Sequence, residues 1–170
     1  MSVPDVSKLA APDAVVALRS FPRRFRSAVL PIADDPTVEA FAERIGPDGH
    51  SALDLVVGVA NSWAVLSQAL RQVLITDDAV LHAAVTDPAQ REWEVPPGTS
   101  VDGALERLAD EATSFADAVD AVPSRDWSRT ATVAGGATVT AIDLVREAVR
   151  TGSQGLADAE ADIRAARAAS

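Results

Sequence analysis

The chain has 170 residues with 25 acidic against 15 basic side chains, a net charge of −10. That balance excludes the concentrated basic surface on which phosphate-backbone binding depends. With 48% hydrophobic residues and no cysteine, it reads as one folded domain without disulfides, thiolate metal ligands or a cysteine nucleophile.

Residues 1–12 carry Pro4 and Pro12 and little periodicity, and read as a loose lead-in to a single helical domain over residues 13–170. Neither a cationic start with an apolar run in Met1–Leu18 nor about 20 uninterrupted apolar residues anywhere is present, so a cytoplasmic address is expected, with no membrane or nucleic-acid partner. Pro22 is suited to the first turn of a helix, where its missing N–H costs nothing, and predicts a helix from there to about Leu30. Arg19, Arg23, Arg24 and Arg26 cluster around it and read as a solvated face balanced by acidic neighbours. Val38 to Ile45 is a short amphipathic piece before the breaker Gly46-Pro47-Asp48-Gly49.

Ser51 to Ile75 is the longest apolar segment. Leu53, Val56, Ala60, Trp63, Leu70 and Leu74 form one stripe, and Val59, Leu66 and Val73 extend it, which predicts a helix buried between neighbours. Asp77 to Ala84 is expected to add a short helical turn, and Pro88 to Pro97 a loop containing Trp93. Val101, Leu105, Leu108, Ala112, Phe115, Val119 and Val122 alternate spacings of four and three. Ile142, Val145, Val149, Gly152, Leu156, Ala159 and Ile163 do the same, so each series forms a helix with one packing seam. Thr140 with Asp143 resembles a capping box. The β-branched runs flanking Ala134-Gly135-Gly136 predict a small hairpin-like arm before the last helix. The fold expected is all-α, an antiparallel four-helix bundle.

The succession of segments carries a resemblance. ALRSFPRRFRSAV (17–29), GHSALDLVVGVANSW (49–63), DWSRT (126–130) and TVTAIDLVREAVRTGSQGLADAEADI (138–163) are similar, in order and spacing, to segments of the DinB-like superfamily, which includes mycothiol-dependent enzymes of actinobacteria. The resemblance covers about residues 13–163. It implies a DinB-like bundle and a metal held by one histidine of the second long helix and an HxxxH pair of the last. An HxxxH pair sits one helical turn apart, and three neutral ligands leave a position for water or thiolate. Here the matching positions carry Gly58, Arg150 and Gln154, and a register shifted on the last helix brings Glu147 and Thr151. Glycine has no ligand atom and arginine stays protonated. The two histidines, His50 and His82, fall elsewhere, so no metal and no cofactor is expected, and the family's thiol-transfer or isomerase chemistry is expected to be lost.

What remains is a degenerate, metal-free, non-catalytic binder of a small molecule or a protein. The alternatives are a metal-independent enzyme reusing the bundle cavity for a small anionic metabolite, and a structural homodimer. Candidate ligand-binding residues are Gly58, Asn61, Arg150 and Gln154, with Trp93 as a lid or contact. By helical projection Arg150 and Gln154 stand roughly 120° from the centre of the last helix's seam, on its flank. Asp77, Asp78 and Asp158 read as solvated carboxylates, Asp54 and Asp143 as helix-start charges, and Trp63 and Trp127 as packing residues.

Overall fold

The structure is a computed structural model that describes residues 5–31, 35–91 and 94–169. Among the described residues there are five α-helices: α1 (Ala11–Val29), α2 (Pro36–Ala42), α3 (Ala52–Ile75), α4 (Val101–Asp120) and α5 (Ala141–Ala168). The four long ones form the bundle. α1 packs on α4 and α5, and α3 packs on the same two, so α1 and α3 lie on one diagonal. Arg19 bonds Asp117 and Arg26 bonds Asp102, so α1 and α4 run antiparallel. Trp63 on α3 reaches the Ala148 carbonyl and Val59 abuts Gly155, so α3 and α5 are antiparallel too. In contrast, Arg107 bonds Asn61 and Arg71 bonds Ser114, so α3 and α4 run parallel. α1 and α5 also run parallel, with Leu9 near Arg146 and Phe21 near Gly152. A parallel pair joined in sequence needs a long return, and the described residues between α3 and α4, 76–91 and 94–100, belong to it.

Local chemistry sets the helix ends. Ser51 with Asp54, and Thr140 with Asp143, form complete capping boxes at α3 and α5. Each satisfies backbone donors that the first turn leaves orphaned. Ser100 caps α4 by accepting from the Gly103 amide. α3 is long and apolar enough to cross a membrane by composition, but 72% of that apolar stretch is buried inside the bundle, as befits the central helix.

Four local expectations need correction. Pro22 does not open a helix; it lies inside α1, which starts at Ala11 with Pro12 in its first turn. The buried series Ala14, Leu18, Phe21, Phe25 and Val29 continues through Pro22. Burial of the four larger of those side chains, at about 1.5–3 kcal/mol each, outweighs the roughly 3 kcal/mol an interior proline costs. The segment after α3 forms a strand, β1 (Val80–Leu81), before a 3₁₀ turn at Ala83–Val85. β1 pairs in parallel with β2 (Thr130–Val133), which pairs antiparallel with β3 (Thr138–Thr140) around the Gly135-Gly136 turn. The expected two-stranded arm is therefore a three-stranded sheet. Pro88–Gln90 forms a further 3₁₀ turn where a plain loop was expected, and Trp93 lies outside the described residues.

The core centres on Trp63, Phe21, Phe25 and Phe115, all fully buried. Gly152 lets α5 approach this group. A β-carbon there would stand 2.8 Å from the Trp63 ring and 2.9 Å from that of Phe21. Gly152→Ala gains about 1 kcal/mol of helix propensity but overpacks rigid rings, at about 1–3 kcal/mol. We expect a net loss of stability on chemical denaturation; a variant as stable as the wild type would show that the helices can separate at no cost.

Candidate functional site

A cleft of about 300 Å³ opens between the N-terminal half of α3, the middle of α5 and the connector that follows β1. Leu55 and Val59 of α3, Pro88 of the connector and Gly155 of α5 form its apolar floor, and Arg91, Glu147, Arg150, Thr151, Gln154 and Asp158 contribute polar atoms. Its volume is at the lower end of the roughly 300–1,000 Å³ usual for small-molecule sites.

The connector wall is fastened by one buried cation. The Arg91 side chain is only 1% exposed. Its Nε donates to the Ala84 carbonyl at 2.8 Å and its Nη2 to the Val85 carbonyl at 3.0 Å. Nη2 also donates to Glu147 Oε1 at 3.0 Å, and Nη1 to Thr151 Oγ1 at 3.3 Å. The guanidinium thus folds the connector back on itself and ties it to α5. The other oxygen of Glu147 accepts from Arg150, through Nε at 2.9 Å and through Nη2. Two guanidiniums therefore share one carboxylate, leaving a local charge of +1. Glu147 is 16% exposed, whereas Arg150 is 53% exposed. A Glu147 carboxylate held between two cations is spoken for and is not a free base.

Two turns further along α5 the sign reverses. Gln154 Nε2 donates to Asp158 Oδ1 at 2.8 Å, and Asp158 is half-buried. One turn beyond, Asp162 is buried, and its Oδ2 has no hydrogen-bond partner among the described residues. Gly46 leaves the space its carboxylate occupies against the α2–α3 loop. Burial raises the Asp162 pKa above the ordinary carboxylate range, repulsion from Asp48 and Asp158 adds to this, and His50 opposes it.

Arg150 and Gln154 are both exposed and both border the cleft, on the flank of α5 and not in its seam. Gly58 is buried in α3 and is not among the residues that line the cleft. Asn61 is half-buried, and its Oδ1 accepts from Arg107 of α4 at 2.6 Å. The structure thus brings the two α5 candidates together and leaves the two α3 candidates apart from them. The cleft residues that sequence reasoning passed over include Leu55, Pro88, Gly155 and, above all, Arg91. Arg91 stands in an aperiodic segment, where no spacing signals a buried cation.

The residues present do not fit the three-histidine metal centre that the resemblance implies. At the corresponding positions Gly58 offers no donor, Arg150 is engaged with Glu147, and Gln154 with Asp158. His50 is exposed in the α2–α3 loop. His82 is exposed as well, its Nδ1 accepting from the Ala84 amide. Among the described residues no three histidine, cysteine or acidic side chains gather as a metal would require.

No family model matches the chain, and none of the curated proteins matches it in sequence. Among solved structures it is similar to YfiT from Bacillus subtilis, described as a probable metal-dependent hydrolase with an unusual four-helix bundle topology. The TM-score is 0.76 at 14% identity, over 97% of this chain and 92% of that one. At that identity the likeness shows the fold, a four-helix bundle, and nothing of its chemistry.

Two outcomes test the electrostatics. Glu147→Ala leaves Arg91 buried without its carboxylate and is expected to cost about 3–5 kcal/mol, much of it recovered by adding Arg91→Met. A double variant no more stable than the single one would show that Arg91 is not the group left stranded. For Asp162 the folded-state pKa lies above the unfolded one. Its contribution is therefore fully present below the unfolded pKa, about 4, and is lost as pH rises through the folded value. The stability of Asp162→Asn relative to wild type should accordingly climb as the pH rises above about 4, and a flat difference would contradict the raised pKa.

Proposed function

We propose that this protein is a metal-independent member of the DinB-like bundles that binds a small organic molecule in the α3–α5 cleft without transforming it. The observation that carries this reading is the cleft itself, where an apolar floor faces convergent polar side chains. That combination is the general form of a small-molecule site. Its α5 wall holds Arg150 and Gln154, the positions where the sequence resemblance expects two metal-binding histidines. Because Arg91 and Glu147 are engaged with each other and with their surroundings, the site offers fixed hydrogen-bonding and charge, not an activated nucleophile or base. The Arg150 edge that Glu147 leaves open favours a ligand with an anionic group, recognised by charge-assisted hydrogen bonds.

The test is ligand-observed NMR with a set of small amphipathic carboxylates, repeated on Gln154→Trp. The substituted residue is exposed at the cleft's rim, so the indole obstructs the cleft without entering the core. Binding to the wild type that is lost in the folded variant is the expected result. Binding indifferent to the substitution would place the ligand elsewhere, and no binding at all would overturn the reading. Titration of the wild type with zinc or nickel should show no stoichiometric binding; tight binding would restore metal-dependent chemistry.

A further inference from the structure

The polar groups of the cleft are ordered by sign along a single helix. At one end, Arg150 uses Nε and Nη2 on Glu147, and no described residue accepts from its Nη1. Behind it, the buried Arg91 keeps the Arg91–Glu147–Arg150 chain net positive. Gln154 follows one turn on, its amide N–H turned to Asp158 and its Oε1 left as an acceptor. At the other end stands Asp158, with Oδ2 not bonded by any described residue. Asp162 lies a turn further with its own buried, unpartnered Oδ2, and Asp48 of the α2–α3 loop is close enough to repel it. Arg150 and Asp158 are eight residues apart, about 12 Å along the axis. Between them lies the apolar surface of Leu55, Val59, Pro88 and Gly155.

A ligand with a lone anionic group would satisfy the first end and leave Asp158 with the neutral Gln154 amide and no cation. Asp162, buried behind the Asp158 end with an acceptor unmet among the described residues, is repelled by Asp158 and Asp48, and a cation at Asp158 lowers that repulsion. At Asp162 the exposed His50 opposes this repulsion. We propose, building on the cleft-binding reading above, that the ligand is a zwitterion: a carboxylate- or phosphate-type group on Arg150, an ammonium facing Asp158, and an aliphatic or aromatic body between.

The probes are 8-aminooctanoate, whose charged ends can spread over a distance of that order, and its two single-charge counterparts, octanoate and octylamine. Each is titrated into the intact protein by calorimetry. The expected result is that 8-aminooctanoate binds about tenfold more tightly than either counterpart, the effect of one charge-assisted hydrogen bond. Arg150→Gln should then reduce its affinity to that of octylamine, and Asp158→Asn to that of octanoate. Both substitutions are at surface-accessible positions, and circular dichroism confirms that each variant is folded. If octanoate or octylamine binds as tightly as the amino acid, the zwitterion is wrong and the cleft reading stands. If none of the three binds, both fall.

Discussion

Where α5 crosses α1 and α3 there is no room for a β-carbon, and the arrangement of the whole bundle follows from that close approach. Gly152 admits the Trp63 and Phe21 rings and Gly155 admits Val59. The Trp63 indole N–H, which would be costly to bury unpaired, donates to the Ala148 carbonyl at 2.9 Å on the same helix. A large aromatic residue on α3 is thus fitted to α5 by shape at Gly152 and by hydrogen bond at Ala148. The large residues Glu147, Arg150 and Gln154 of α5 stand on the flank of this close approach. The cleft opens there, on the side where α5 carries polar residues.

The polar flank of α5 is shaped by how the connector returns. α3 and α4 run parallel, so residues 76–100 must travel back along the bundle, and a segment that long has few apolar anchors of its own. Ala79, Leu81, Ala84 and Val85 are buried, and β1 adds backbone pairing to β2. Arg91 supplies the rest. Four hydrogen bonds from one guanidinium satisfy the carbonyls of the Ala83–Val85 turn and reach α5. A buried ion pair is weak evidence of net stabilisation, because desolvation offsets much of the attraction. Its effect here is better described as specificity: only one placement of the connector meets all four acceptors, and that placement sets the cleft's outer wall.

The helices were legible because their burial is periodic. The alternating spacing over 101–122 and 142–163 marked α4 and α5, and the capping box of α5 was visible as Thr140 followed three residues later by Asp143, whereas in that of α3 only the helix-start charge of Asp54 was read. Pro22 misled because local chemistry, read alone, favours a proline at a helix start, whereas the apolar series on both sides of it decides the outcome. β1 was illegible for the opposite reason. Two residues carry no period, and Val80–Leu81 is a strand only because β2 lies beside it. Arg150 and Gln154 could be named from the resemblance, and projection set them off the seam; that the flank is a cleft wall depends on Pro88 and Arg91, which belong to a segment without pattern.

The same reasoning explains why the gap beside α3 does not depend on histidines. A bundle of this geometry places residues of α5 one turn apart against a gap beside α3, whatever those residues are. Three imidazoles there would recruit a metal. This chain instead carries an arginine, an amide and a carboxylate in that order, each braced by a neighbour: Arg150 by Glu147, Gln154 by Asp158. Bracing reduces the side-chain freedom lost on binding, which is how fixed polar groups gain affinity without new contacts. The fold supplies the gap and the spacing, and the side chains at three turns of one helix determine what the gap recognises.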